Sequence, residues 1–299
     1  MGLRDDEIRT KEDYSLRILM LGDSFTMGYG VRANETFTQL LENNFAENDL
    51  NIDVVNAGVS SYSPILEYIY LKNRGIDLDP DVVILNLDMS DVQDDYIYEQ
   101  RAVFDKDGNI IKVLPPEEET SHSLRLLFTK IKTLTYIRGV LETFYSNIPN
   151  KEELDVPWAY DIKYNKLAIT RNDMPWENER GYWERTFKYL LLIKQFCDES
   201  NISFILTTYP LGHQVSEEEW ELGRHTFGFG NNIVYSDRPM KTLESFSMEN
   251  NITFINMLPS FKDVGKYPLF FPYDGHLNKN GHKLVSEILY SRLSEMVKI

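Results

Sequence analysis

Two short stretches at opposite ends of the sequence carry residues that could act together as a nucleophile and its base. Ser24 lies in Leu-Gly-Asp-Ser-Phe-Thr, directly after an apolar run, and His276 lies in Asp-Gly-His-Leu-Asn-Lys-Asn-Gly-His. A serine hydroxyl is a poor nucleophile at neutral pH and needs an adjacent base, and histidine titrates in the right range. A carboxylate must then orient the imidazole, and Asp274, two residues before His276, can face it in a turn.

Other readings of the same residues are open. Gly-Asp-Ser can be only a turn and a helix cap, and His276 only a surface histidine. A metal site made by Asp274, His276 and His282 is a further alternative. We do not favour it, because hydrolytic metal sites usually recruit a further carboxylate cluster and none stands out in the sequence. Gly22 and Gly28 fit neither the P-loop nor the dinucleotide-binding glycine pattern. We therefore predict no metal and no organic cofactor.

A glycine after the second apolar run is a candidate for contact with substrate. Gly58 lies in Asn-Ala-Gly-Val-Ser-Ser-Tyr, where a glycine lets the backbone approach a ligand closely. Its N–H could face an oxygen that becomes negative during reaction. One such hydrogen-bond donor lowers the activation free energy by about 3 kcal/mol. The alternative is that Gly58 only ends a strand.

The elements that must position these residues follow from the alternation of apolar runs and helical patterns. The predicted strands are 17–22, 52–58, 81–87, 202–208 and 252–256, and the predicted helices are about 34–48, 63–75, 180–200, 238–250 and 278–297. Near-continuous apolar strands separated by helices are typical of a buried parallel sheet with helices on both faces. The simplest arrangement is a five-stranded doubly wound α/β sheet.

The chain organisation follows the same rhythm. We predict a polar lead-in over 1–16 and a single domain over 17–299. Residues 96–180 break the rhythm, and we interpret them as an insertion or cap at the carboxyl edge of the sheet, where loops usually build the site. A long ordered loop is the alternative. The glycine-containing stretch 211–237 could form a mobile rim, and we expect its two histidines, His213 and His225, to lie at the surface.

Composition excludes several classes of protein. The chain has 299 residues, and 47 acidic against 31 basic side chains give it a formal net charge of −16. A surface this acidic argues against nucleic acid and anionic lipid as partners. The single cysteine, Cys197, rules out an internal disulfide and a Cys₄ zinc site. No apolar run approaches the ~20 residues that a membrane-spanning helix needs.

Three motifs in order resemble one family. Gly-Asp-Ser-Phe-Thr-Met-Gly after the first strand, Asn-Ala-Gly after the second, and Asp-Gly-His before the last helix resemble the SGNH (GDSL-type) hydrolases. The resemblance covers roughly residues 15–92 and 180–299. It implies a flavodoxin-like three-layer α/β/α sandwich and ester chemistry through an acyl-enzyme.

The same resemblance implies site roles. Ser24 would be the nucleophile, His276 the base and Asp274 its carboxylate partner, and the N–H groups of Ser24 and Gly58 would stabilise the oxyanion. Two positions depart from the family pattern. Ser90 stands where the family has an oxyanion-binding asparagine, and Asp88 stands where it has glycine. The Asp-x-His spacing is also shorter than the usual Asp-x-x-His, although it occurs in carbohydrate-acetylating branches of the family.

These observations lead to three hypotheses of function. The first is a serine esterase that acts on small acyl groups, acetyl above all, on a carbohydrate, with Ser90 as a further oxyanion donor. The second is an O-acyltransferase that passes the acyl group to a polysaccharide. The third is a non-catalytic carbohydrate-binding protein that lost the oxyanion hole at Ser90.

Partners and location are less determined. A small-molecule or carbohydrate ester is the expected partner, and the sequence leaves the oligomeric state open. Residues 1–16 lack an apolar signal region, so the sequence taken literally is that of an unexported protein. Residues 2–7 nevertheless resemble the lead-in of family members that follow a signal or anchor, so the location stays open between an exported or anchored bacterial protein and a cytoplasmic one.

Overall fold

The structure is a computed structural model that describes residues 3–5, 8–116, 161–227, 229, 235–265 and 268–296. Within these residues it has seven strands and nine α-helices. The strands are β1 Leu16–Gly22, β2 Ile52–Asn56, β3 Val82–Leu87, β4 Ala102–Phe104, β5 Ile110–Val113, β6 Ser203–Thr208 and β7 Thr253–Asn256. The helices are α1 Ser24–Met27, α2 Phe37–Glu47, α3 Pro64–Tyr70, α4 Asp91–Glu99, α5 Trp176–Glu199, α6 Gly212–Val215, α7 Arg238–Glu249, α8 Leu258–Asp263 and α9 Lys279–Met296.

The main sheet is parallel and has the order β2-β1-β3-β6-β7. Its central register pairs Leu19 with both Val55 and Val83. The predicted five-stranded parallel sheet is confirmed. Because every connection between neighbouring strands crosses over, the carboxyl ends of all five strands lie at one edge.

Helices cover both faces of this sheet, which confirms the three-layer α/β/α sandwich. On one face α2 packs against α9, and on the other α5 packs against α3 and α4. Strand residues such as Leu19, Ile84 and Leu206 are therefore almost completely buried. Burial on both faces explains why the strands read as continuous apolar runs rather than as alternating ones.

A buried ion pair joins β1 to the edge strand β2, and the segment before β1 binds the same carboxylate. Arg17 Nε lies 2.5 Å from Asp53 Oδ2, and both side chains are buried. The other carboxylate oxygen, Asp53 Oδ1, accepts a 2.7 Å hydrogen bond from Arg9 Nε. The two arginines thus tie residues of the predicted lead-in and of β1 to β2.

The predicted insertion is described only in part. Residues 105–109 form a turn between β4 and β5, which pair as a small antiparallel hairpin. The apolar helical run near 124–146 lies outside the described residues, so the cap stays a prediction. Within the described residues, no helix combines the length and the apolar character needed to cross a membrane.

Candidate active site

Ser24 lies at the carboxyl edge of the sheet, where β1 turns into α1. Gly22 has φ of +151°, and a Cβ there would lie 2.1 Å from Thr26 Oγ1, so only glycine fits this turn. Asp23 caps the new helix by accepting a 2.9 Å hydrogen bond from Phe25 N. Because Ser24 is the first residue of α1, its N–H is one of the groups that a helix leaves without an internal partner.

His276 reaches the same edge on the loop before α9. Gly275 precedes it with φ of +80°, and a Cβ at this glycine would lie 2.8 Å from Trp220 Cε2. Trp220 also donates a 3.2 Å hydrogen bond from Nε1 to the Tyr273 carbonyl oxygen. The backbone closes on itself where Phe271 N donates to His276 O at 2.8 Å. The buried Trp220 thus supports the loop that presents the imidazole.

Aromatic rings hold the imidazole in place. The ring centroid of His276 lies 4.7 Å from that of Phe25 and 4.8 Å from that of Tyr29. Phe25 comes from α1 itself, so the helix that carries Ser24 also packs against the histidine. This shared packing restricts the imidazole to an orientation that faces the serine.

The structure brings the predicted nucleophile and base into contact. Ser24 Oγ lies 2.8 Å from His276 Nε2, although the two residues are 252 positions apart in the chain. Asp274 Oδ1 lies 3.5 Å from His276 Nδ1 and accepts a 3.0 Å hydrogen bond from the His276 backbone N–H. The carboxylate therefore faces the far nitrogen of the imidazole, at a distance longer than that of a good hydrogen bond.

Burial and charge act in opposite directions on the histidine. Desolvation is the largest effect and lowers the pKa of His276 below its usual value. The charges of Asp274 and Asp88 oppose this shift, while the charge of Lys166 adds to it. The net lowering keeps the imidazole neutral near pH 7, which is the form able to accept a proton from Ser24.

Gly58 lies next to the serine turn, but its N–H is already engaged. A Cβ on Gly58 would lie 2.3 Å from Met27 N, so the loop after β2 packs directly on the backbone of α1. The Gly58 N–H donates to Asn56 Oδ1 at 3.0 Å. Asn56 in turn donates from Nδ2 to Thr26 O at 3.0 Å. The predicted role of Gly58 as an oxyanion donor thus requires its N–H to be shared with Asn56.

Ser90 is buried after β3, at the N-cap of α4. Its N–H donates to Asp88 Oδ1. The predicted oxyanion residues Ser24, Gly58 and Ser90 therefore follow β1, β2 and β3, which are neighbours in the sheet.

Two residues at this edge of the sheet were not predicted from the sequence as part of the site. Tyr209, directly after β6, is fully buried, donates to Asp23 Oδ1 at 3.3 Å and stacks on Phe25 at 4.9 Å. Lys166 lies close enough for its charge to act on Asp23, Asp94 and His276. The position of Tyr209 directly after a strand could have indicated that it lies at this edge, whereas no local sequence pattern indicates the same for Lys166.

The structure also shows a group of buried carboxylates beside Ser24. Asp23, Asp88 and Asp91 each have an oxygen within 4.8 Å of the others, and all three side chains are buried. This is the carboxylate cluster that did not stand out in the sequence. It does not include His282, whose Nδ1 accepts a 3.2 Å hydrogen bond from Phe37 N in the packing between helices.

One expectation about histidines is wrong. His213 is fully buried, and its ring stacks on that of Phe229 with the ring centroids 4.2 Å apart. Its Nε2 lies 2.7 Å from Thr170 Oγ1, within hydrogen-bond distance. Burial lowers its pKa to about 3, so it stays neutral. His225 is exposed as expected.

Comparisons with known proteins agree with this architecture. No family model matches the sequence, and neither does any curated protein. Among similar solved structures, the acetylxylan esterase Axe2 from Geobacillus stearothermophilus has a TM-score of 0.50 and 15% identity, covering 95% of this chain and 96% of its own. TesA has a TM-score of 0.50 and 12% identity, with coverages of 94% and 99%. A gut microbial diltiazem-metabolizing enzyme has a TM-score of 0.50 and 10% identity, covering 95% of this chain and 48% of its own. The chain therefore has the α/β fold of the SGNH (GDSL-type) hydrolases.

Proposed function

We propose that this chain is a serine esterase of the SGNH type that removes small acyl groups, acetyl above all, from a carbohydrate. The observation that supports it most is the 2.8 Å contact between Ser24 Oγ and His276 Nε2. A hydroxyl and a neutral imidazole at this distance, at the edge where α/β proteins bind ligands, are what nucleophilic catalysis requires. The proposed substrate class follows from the resemblance of the motifs, and Axe2, of the same fold, is named for such a substrate.

In this proposal the proton path runs between two atoms. Ser24 Oγ attacks the ester carbonyl carbon while His276 Nε2 takes the hydroxyl proton. The tetrahedral intermediate then breaks its bond to the leaving alcohol, which receives that proton from Nε2. Water attacks the acyl-enzyme by the same route and releases the acid. Asp274 keeps Nδ1–H pointed away from Ser24 and stabilises the imidazolium.

The oxyanion is stabilised by donors from three neighbouring loops. The Ser24 N–H at the start of α1 is the best placed, because the N-terminus of a helix favours negative charge. Gly58 contributes if its N–H is shared with Asn56, and Ser90 replaces the asparagine of the family pattern. Asp88 opposes the negative oxygen electrostatically, so its charge must be offset.

The decisive experiment compares Ser24→Ala with wild type on p-nitrophenyl acetate and on acetylated xylan. We expect kcat/KM to fall by about a thousandfold or more, because a triad without its nucleophile retains only the contribution of binding and the oxyanion hole. Ser60→Ala, an exposed serine of the loop after β2, is the matched control and should keep full activity. Activity of Ser24→Ala within threefold of wild type contradicts the proposal.

Two further measurements separate the alternatives. A fluorophosphonate probe should label Ser24 in the folded wild-type protein, and failure to label it favours a binding protein. Product analysis with an acetyl donor and a polysaccharide acceptor distinguishes hydrolysis from transfer. Free acetate as the sole product supports the esterase, whereas an acetylated polysaccharide shows an O-acyltransferase.

A further inference from the structure

Three buried carboxylates meet beneath the serine turn from two neighbouring strands. Asp23 follows β1, and Asp88 and Asp91 follow β3, which pairs with β1. One oxygen from each lies within 4.8 Å of the others. Two oxygens that bind the same Ca²⁺ at about 2.4 Å can be at most about 4.8 Å apart, so this spacing is within the reach of one shared cation.

Backbone N–H groups hold these carboxylates in position. Asp23 Oδ1 accepts from Phe25 N at 2.9 Å, Asp91 Oδ2 accepts from Asp88 N at 3.0 Å, and Asp88 Oδ1 accepts from Ser90 N. Asp91 Oδ1 has no hydrogen-bond partner among the described residues, although it is fully buried. A buried anionic oxygen that nothing satisfies is costly, which indicates a missing positive partner.

A fourth carboxylate, from a different helix, independently indicates the same partner. Glu67 on α3 is 1% exposed, and neither of its carboxylate oxygens has a hydrogen-bond partner among the described residues. Its charge interacts most with Asp95 and also with Asp23, Asp88 and Asp91, so it lies near this group. The cluster therefore concentrates four acidic side chains where burial should allow few charges.

We propose that Asp23, Asp88 and Asp91 bind a divalent cation of the size of Ca²⁺ next to Ser24, with Glu67 at its outer side. A double positive charge balances most of the negative charge that the three carboxylates bring together. Oxygen ligands of this kind suit hard cations such as Ca²⁺, Mg²⁺ and Mn²⁺. If the proposed esterase function holds, the cation also offsets the charge of Asp88 near the oxyanion.

The alternative is that protons replace the cation. Burial and mutual repulsion raise the pKa of Asp23 to about 8, and they raise the pKa of Asp91 and of Glu67 well above the usual values. A cluster that holds only protons would not respond to divalent ions, so direct binding measurements separate the two cases.

The test uses the whole chain after treatment with EDTA and needs no enzymatic activity. Calorimetric titration with CaCl₂, MgCl₂ and MnCl₂ measures binding of the cation. The midpoint temperature of thermal unfolding should rise by about 5 °C when the free cation concentration is 100 times its Kd. Tb³⁺, a luminescent substitute for Ca²⁺, should be sensitised by Tyr209, whose hydroxyl lies 3.3 Å from Asp23 Oδ1.

Variants make the assignment specific. Asp91→Asn and Asp88→Asn should each weaken cation binding at least tenfold. Asp94→Asn, on the same helix as Asp91 but outside the group of three, should bind as wild type does. If no divalent ion or Tb³⁺ binds wild type at millimolar concentration, or if Asp91→Asn binds as tightly as Asp94→Asn, the proposal is wrong. Since every readout is independent of ester hydrolysis, a failed cation site leaves the proposed function untouched.

Discussion

The acid limit of activity should report the protonation of one imidazole. Because the pKa of His276 lies below 6.5 in the folded protein, the neutral base persists to lower pH than a free histidine would allow. We expect kcat/KM on p-nitrophenyl acetate to fall as the pH decreases through this lowered value. The loss should be reversible on returning to pH 7, whereas acid unfolding would show in circular dichroism.

Asp274→Asn should separate two effects of that carboxylate. Its charge raises the pKa of His276, so removing the charge should move the acid limit to still lower pH. At the same time the imidazolium loses its partner, and kcat at pH 7 should fall by about tenfold or more. A pH–rate profile of the variant measures both changes. An acid limit that moves to higher pH would contradict the charge interaction.

At the scale of elements, the site depends on the contact between the loop after β2 and helix α1. The loop after β2 lies against α1 so closely that Gly58 has no room for a side chain. The carboxamide of Asn56 bonds both to this loop and to the Thr26 carbonyl oxygen, so it links the loop to α1. Any displacement here changes the position of Ser24 as well as stability.

Gly58→Ala tests this close contact. The new Cβ would overlap Met27 N and the Thr26 carbonyl carbon, which are backbone atoms and cannot turn away. We expect a loss of about 3 kcal/mol in the free energy of unfolding, measured by urea denaturation, together with reduced esterase activity.

Gly181→Ala is the matched control for that variant. Gly181 lies inside α5, and a Cβ there meets only Arg185 Nη1 at 3.7 Å. Alanine should therefore leave stability unchanged or raise it by about 0.5–1 kcal/mol. Equal stability of the two variants would show that the loop can move away from α1.

At the scale of the whole molecule, the buried pair of Arg17 and Asp53 joins β1 to β2, and Arg9 of the lead-in binds the same carboxylate. Asp53→Asn leaves Arg17 buried without its carboxylate, and such a change costs about 3–5 kcal/mol. We expect a loss of this size in chemical unfolding monitored by circular dichroism.

An exposed ion pair of the same lead-in provides the comparison. Lys11 and Asp79 pair with side chains 57% and 67% exposed. Lys11→Met should leave the free energy of unfolding nearly unchanged, because solvent screens exposed pairs. If Asp53→Asn lowers the free energy of unfolding no more than Lys11→Met does, the burial of the Arg17–Asp53 pair does not make that pair more important for stability.

The elements and the candidate nucleophile and base could be predicted because their signals are local. Apolar runs mark β1, β2, β3, β6 and β7, and the buried faces of the sheet require those runs. Ser24 and His276 stand in short motifs that directly follow a strand or precede a helix. The burial of His213 was missed because the residues that enclose it, such as Phe229 and Trp220, are brought together by tertiary packing.

By itself, the sequence determined the α/β architecture, the approximate positions of the strands and the residue types available for chemistry, since these depend on neighbours along the chain. Only the tertiary structure decided which of them meet. The order β2-β1-β3 places Asp23 beside Asp88 and Asp91, and packing on Trp220 and Phe25 brings His276 to Ser24. Such contacts join residues from separate loops, and pairing between strands, not local pattern, sets the distances between them.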